Sequence, residues 1–266
     1  MNENSSFASF SNKQKGLLFD DSNDKNYPIK YHNFIGTEED LFKGKEESTY
    51  HVYVYSGELF LQNRGMPVFV LRNEFYFSVH GEFLLSGNGQ AIVIETLVKK
   101  EGSFYAKNNY TAMFHIGKAE DKGRLKYIDG CTDSLLIPPV KLGDACLNHL
   151  HFPANIDQTA HTHPSHRIGV VAKGNGMCKT PFGNMELTQG MIFVIKCWDG
   201  VSYSTGLDGQ EHPNGEHSFE TFENNMDVIA YHPDSDFGAT DEMHPMINRT
   251  IVGGISASQL EDIRTK

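Results

Sequence analysis

The sequence predicts an all-β protein made of two sandwich- or barrel-like halves, and three observations carry that expectation. Short runs rich in β-branched and aromatic residues recur at a spacing of roughly 8–12 residues. Gly or Asn punctuates them throughout. Convincing amphipathic helices are few. A chain of 266 residues has room for one large domain or two of ordinary size, each with a substantial core.

Residues 1–45 are polar, rich in Asn, Asp, Ser and Lys, and lack sustained periodicity. They read as an amino-terminal arm or wrap-around extension, mobile over its first ~10 residues. Within it, Glu38-Glu39-Asp40-Leu41-Phe42 is expected to form a short helical turn. From Tyr50 the character changes, and strands are expected at Tyr50-His51-Val52-Tyr53-Val54-Tyr55, Pro67–Leu71, Glu74–Val79 and Gln90–Glu95. The second half repeats the style at Cys146–Phe152, Ile168–Ala172, Met191–Ile195, Ser218–Phe222 and Met226–Tyr231. Between them the run Asp129–Pro139 ends in paired prolines and marks a linker near residue 140. Gly87-Asn88-Gly89 and Gly174-Asn175-Gly176 each follow an apolar run, an echo that suggests duplication. The expected organisation is an arm over 1–45, a first β domain over 46–140 and a second over 141–266.

A formal net charge of −11, with no cluster of five or more basic residues, argues against nucleic acid and anionic membrane partners. No apolar run approaches the ~20 residues of a membrane span, and the polar amino terminus is unlike a signal peptide. A soluble, cytoplasmic protein acting on a small-molecule substrate is expected. Cys131, Cys146, Cys178 and Cys197 are widely spaced without a C-x-x-C pair and read as buried free thiols. Phosphate-loop, dinucleotide and nucleophile-elbow motifs are missing, which disfavours nucleotide-driven and acyl-enzyme chemistry.

Chemistry concentrates in His161-Thr162-His163-Pro164-Ser165-His166-Arg167, followed by an apolar run and the glycines 169, 174 and 176. Residues two apart on a strand share a face, so His161 and His163 can present their rings to one ion. Neutral imidazole suits Zn, Fe, Cu, Ni and Mn to differing degrees.

This stretch resembles the first motif of the cupin superfamily, an H-x-H pair followed by Glu and then a strand with a glycine turn. Pro213-Asn214-Gly215-Glu216-His217 resembles the second motif, a P-x-G turn followed by His. The resemblance covers about 142–235 well and about 50–137 in general style. It implies a bicupin: tandem double-stranded β-helix (jelly-roll) barrels, of which only the second keeps an H-x-H pair. The first barrel, containing His80 and His115, is expected to be structural and to contribute to a homodimer or to a pocket wall. The implied metal ligands are His161, His163 and His217, with His212 the competitor for third place. Where the motif has Glu this chain has Arg167, which stays protonated and cannot bind a metal ion.

A three-His site resembles those of the cupin thiol dioxygenases and implies Fe2+, with Zn2+, Ni2+ or Mn2+ as alternatives. The expected activity is a dioxygenase acting on a small, polar, carboxylate-bearing substrate. Arg167 would orient the carboxylate, its duller role being a salt bridge. His166 or Tyr231 would handle protons, and His149, His151 and His232 would wall the pocket. The run Ala230–Arg249, dense in Asp, His and Pro, reads as a lid, a second ion site or an Asx-turn-rich loop. Two other classes compete: a non-oxidative cupin lyase, isomerase or rearrangement enzyme, and a non-catalytic small-molecule-binding cupin.

Overall fold

The computed structural model describes residues 2–37, 40–97, 114–123, 125–139, 144–234, 251–252 and 255–256. Among them the only helix is a single 3-10 turn at Ile128–Gly130, and no helix is long and apolar enough to cross a membrane. In chain order the strands are β1 (Asn2–Glu3), β2 (Phe7–Phe10), β3 (Gly16–Asp21), β4 (Ile29–Ile35), β5 (Phe42–Lys43), β6 (Ser48–Asn63), β7 (Phe69–Arg72), β8 (Phe75–His80), β9 (Phe83–Ser86), β10 (Gly89–Leu97) and β11 (His115–Lys118). There follow β12 (Leu125–Lys126), β13 (Thr132–Ile137), β14 (Cys146–Phe152), β15 (Arg167–Lys179), β16 (Met185–Thr188), β17 (Ile192–Ile195), β18 (Tyr203–Thr205), β19 (Glu211–Pro213), β20 (Ser218–Glu220), β21 (Met226–His232), β22 (Ile251–Val252) and β23 (Ile255–Ser256).

The chain divides into two units, Phe10–Ala119 and a second formed by Met1–Ser9 with Glu120–Lys266. The first unit holds an antiparallel sheet ordered β11-β8-β6-β10-β4-β3, with β7, β9 and β5 attached through β6. The second holds one ordered β1-β2-β17-β15-β21-β14-β13-β12, with β16 and β20 attached through β15. Pairing is the same in both: β6 and β15 each bond four strands, β10 and β21 each lie between the long strand and β4 or β14, and β3 or β13 follows outside.

In each unit the long strand carries pairing in two layers, and the core fills the space between them. In the second unit Leu150, Val171, Phe193, Val228 and Ala230 of the main layer pack with Leu187 and Phe219 of the other. In the first, Val52, Phe77 and Val93 pack with Leu61, Leu71 and Leu85. A strand can serve two layers only if it bends, and a glycine sits at the bend. Gly57 has φ +72 and Gly174 φ +71, and a Cβ would stand 2.3 Å from the Asn88 oxygen or 1.9 Å from the Asn225 oxygen.

That geometry corrects the sequence echo. Gly87-Asn88-Gly89 is the turn between β9 and β10, whereas Gly174-Asn175-Gly176 lies inside β15 and is no turn. The structural counterpart of Gly174 is Gly57, and that of the Asn88 turn is the one at Asn225.

Three further expectations give way. The stretch 1–45 carries β1 to β5, not a loose arm: Phe7 is fully buried and stacks on Phe193 with centroids 5.7 Å apart, and β4 pairs along its whole length with β10. The helical turn is replaced at Phe42 by β5; Glu38 and Glu39 lie outside the described residues. The stretch read as a linker contains β13, paired with β14, and the units part near residue 120. Pro138 and Pro139 end that strand instead of joining domains, as expected of residues that cannot donate to a ladder.

Candidate metal centre

His161 and His217 form an isolated antiparallel bridge, each backbone N–H donating to the other's carbonyl at 2.9 and 3.0 Å. Their side chains therefore leave neighbouring backbones in the same direction. His163, two residues on, completes a triangle with ring centroids 5.0, 4.6 and 5.2 Å apart. One ligand atom from each residue lies within 4.8 Å of the others. Nitrogens bound to one ion at ~2.1 Å stand ~3–3.5 Å apart, so small ring rotations close the set.

The tautomers suit the task. Nδ1 of His161 lies 2.8 Å from the Thr159 carbonyl oxygen and Nδ1 of His217 lies 2.8 Å from that of Gly215. Carbonyls only accept, so both Nδ1 atoms carry the hydrogen and Nε2 carries the lone pair. Burial, reinforced by the nearby Arg167 and His161 charges, holds the His163 and His217 rings well below the usual histidine range. Both are neutral at pH 7, as ligation demands. The donor set thus fits a divalent first-row metal ion, with three neutral nitrogens and no protein anion among them.

The rings face a cavity of about 20 Å3, room for an ion and little more. Leu150, Phe152, Phe193, Phe219 and Val228 supply apolar wall; Arg167, His232, Gln158 and Tyr127 supply the polar part. Strand alternation explains the choice. Asn148, Leu150 and Phe152 face inward from β14, matched by Met226, Val228, Ala230 and His232 from β21.

The same alternation sends other expected residues away. His149 and His151 point to the opposite face, where both meet Asp227 Oδ1, at 3.1 and 2.6 Å. Burial works against the Asp227 carboxylate, yet those two hydrogen bonds hold its pKa below the ordinary value. Tyr231, between Ala230 and His232, is fully buried on that outer face. His166 is tied to Cys197, whose backbone N–H donates to its Nδ1 at 3.0 Å. His212, on β19, sits between Asp208 and Glu216 at 3.0 and 3.3 Å, and the Asp208 contact raises its pKa. It stays outside the triangle. Of the run Ala230–Arg249, residues beyond Asp234 lie outside the described residues.

Arg167 does line the cavity, but its guanidinium is engaged: Nη1 donates to Asp234 Oδ1 and to Ser165 Oγ, both at 2.5 Å, and Nη2 to Asp234 Oδ2 at 3.4 Å. Both members of the pair are buried, and Arg167 Nε has no partner among the described residues. Pro164 breaks the strand, so Arg167 reaches the cavity as the first residue of β15, not by the phase of the H-x-H pair.

Among the described residues of the first unit, the corresponding place holds no histidine cluster. By register Phe83 of β9 stands where His217 stands, opposite Asn63, as His217 follows the Lys179–Ser218 pair. Gly44 N–H donates to the Phe83 carbonyl at 2.9 Å, the place of His161, and a Cβ on Gly44 would fall 2.4 Å from the Phe83 ring. Phe42, Tyr50, Phe77 and Phe83 fill the space with mutual ring contacts of 5.0–6.0 Å.

Solved structures share this architecture at low identity. Ylba of E. coli matches with a TM-score of 0.57 and 14% identity over 88% of this chain and 93% of that one. A Pseudomonas aeruginosa protein that carries the provisional name glyoxylate-induced protein matches at 0.56 and 12% over 85% and 79%. The fold is of the cupin type. A mutant of salicylate 1,2-dioxygenase from Pseudoaminobacter salicylatoxidans also matches, at 0.51 and 8% over 79% and 70%. No family model and no curated protein matches the sequence. In this cupin-type fold the residues that sequence reasoning missed are Tyr127, Gln158 and Asp234. They come from connections or strand ends with no motif of their own, and only the folded chain brings Tyr127 and Gln158 to the cavity and Asp234 to Arg167.

Proposed function

We propose that the protein is a bicupin metalloenzyme, a mononuclear non-haem Fe(II) dioxygenase acting on a small, polar, carboxylate-bearing substrate. The convergence of His161, His163 and His217 in a buried, mostly apolar cavity carries the reading. The likeness to a salicylate 1,2-dioxygenase supports the fold and agrees with oxygen chemistry. When bound, iron would supply redox capacity and adjacent open positions where oxygen and substrate are brought together.

The protein's residues do the rest. His161 and His217, fixed by their carbonyl partners, offer Nε2; His163 completes the set. Arg167 supplies a cation beside the cavity, and its unpartnered Nε–H orients a substrate carboxylate while Asp234 holds the guanidinium plane. The apolar wall excludes water. Proton handling falls to His232, because His166 and Tyr231 lie off the cavity. The 20 Å3 volume favours a substrate of few heavy atoms unless the walls part. The first barrel is structural in this reading, and the protein works as a cytoplasmic homodimer, which light scattering checks.

The test is metal analysis of protein purified without added metal, with oxygen uptake followed over a panel of small hydroxy- and oxo-acids. One iron per chain and acid-dependent oxygen uptake are expected. Zinc content with turnover under nitrogen would replace the proposal by a non-oxidative lyase or isomerase. Biological activity that survives metal loss in His161→Ala would point to a binding module.

A further inference from the structure

Beside the cavity, on the inward face of β13, β14 and β21, lies a chain of buried polar groups that metal binding does not require. Asp133 on β13, Asn148 on β14 and His232 on β21 occupy three adjacent strands and are diagonal neighbours: Asp133 is opposite Leu150, and His232 is opposite Cys146. Their exposures are 0%, 1% and 8%. Asn148 Nδ2 donates to Asp133 Oδ2 at 3.4 Å and lies 3.2 Å from His232 Nδ1.

An amide N–H2 can only donate, so His232 Nδ1 must accept and the hydrogen of the neutral ring resides on Nε2. Above pH 7, where its carboxyl is ionised, Asp133 determines which way Asn148 points, since a carboxylate repels the amide oxygen. We propose that Asp133 and Asn148 are positioning residues that lock His232 as its Nε2–H tautomer, so that the ring offers a hydrogen-bond donor to an oxyanion in the metal cavity. The ligand class is a small carboxylate or another anion bearing lone pairs on oxygen. The proposal rests on the metal-cavity reading only for that ligand, not for the tautomer.

Low-dielectric surroundings make the arrangement consequential. A buried polar chain is retained at a cost unless each member is oriented, and Asp133 Oδ1 and Asn148 Oδ1 have no partners among the described residues. Burial also pushes the Asp133 carboxyl up to about 7. The reversed amide, with Oδ1 toward His232, would require protonated Asp133 and an Nδ1–H ring, so one spectrum separates the two.

The experiment is long-range 1H–15N correlation on the full-length protein labelled at histidine, with His232 assigned by its loss in His232→Gln. At pH 8 the metal-free protein is expected to show His232 Nδ1 unprotonated and Nε2 protonated. Asn148→Asp, whose carboxylate accepts, should move the hydrogen to Nδ1, and Asp133→Asn should lower the Nε2–H fraction. An Nδ1–H ring in the wild type, which needs no variant to fold, overturns the proposal. So does an unchanged tautomer in folded Asn148→Asp. With the protein loaded with Zn2+, formate should shift the His232 Nε2–H resonance, and His232→Phe should weaken formate binding about tenfold. Formate that shifts the three ligand histidines but not His232 overturns the donor role. Failure to bind Zn2+ instead refutes the metal reading and leaves the tautomer result standing.

Discussion

Arg167 and Asp234 show how much one buried pair can matter. Each shields the other's charge, and removing a single partner leaves an ion in a nearly dry cavity wall. Asp234→Ala should cost about 3–5 kcal/mol in urea denaturation. The double change Arg167→Met with Asp234→Leu should recover most of it, as apolar replacements of buried pairs often do. Recovery of stability without recovery of activity would separate the structural role of the pair from its role toward substrate.

Asp133 gives a pH signature of opposite sign to the usual carboxylate. Its pKa is raised from 3.8 to about 7 by burial, so the folded state binds the proton more tightly than the unfolded state. The stabilising contribution is complete below about 4 and is lost as pH rises toward 7. Asp133→Asn removes that dependence. Its melting temperature relative to wild type should therefore be higher at pH 8 than at pH 4, measured by calorimetry. A constant difference across that range would show that Asp133 does not titrate in the fold.

At the scale of elements, two bent strands organise the molecule. β15 turns from one layer to the other at Gly174, and neither the φ of +71 nor the 1.9 Å approach to the Asn225 oxygen admits a side chain. Gly174→Ala should lose about 3 kcal/mol or more, since both strain and backbone displacement are imposed. Gly183→Ala has open space around it and should lose less, its φ of +123 being the sole penalty. Equal losses by denaturation would refute the crowding argument. The pair Gly57 and Gly174 is also where duplication is visible. In the sequence, Gly57 stands alone and carries no signal, whereas Gly174 draws attention through a Gly-Asn-Gly echo whose other copy, Gly87-Asn88-Gly89, lies at an unrelated place in the fold.

At the scale of the whole chain, the amino terminus belongs to the unit that ends the sequence. Phe7 is buried against Phe193, the Ser6 carbonyl accepts from Lys196, and β2 borders β17. Deleting residues 1–9 should lower the thermal transition of the unit that carries the three histidines, Phe7→Ala alone costing about 3–5 kcal/mol. The transition of the unit Phe10–Ala119 should move much less, which differential scanning calorimetry resolves.

Strand type, the all-β class and the H-x-H pair were legible because they depend on local chemistry. β-branched and aromatic runs favour a pleated surface, and the H-x-H spacing marks His161 and His163 as a pair, although in the fold only His161 is bridged and no strand carries them both. The third histidine was reachable through a motif. What local pattern could not supply was direction. His149, His151 and Tyr231 seemed as good as His232 until pairing with β21 assigned odd and even positions to opposite faces, a choice that a one-residue shift in register would invert. The same holds for Asp234 as the partner of Arg167 and for Phe83 in the place of a histidine. Those facts depend on which strands lie side by side, and that is decided by the burial of two cores, not by any segment alone.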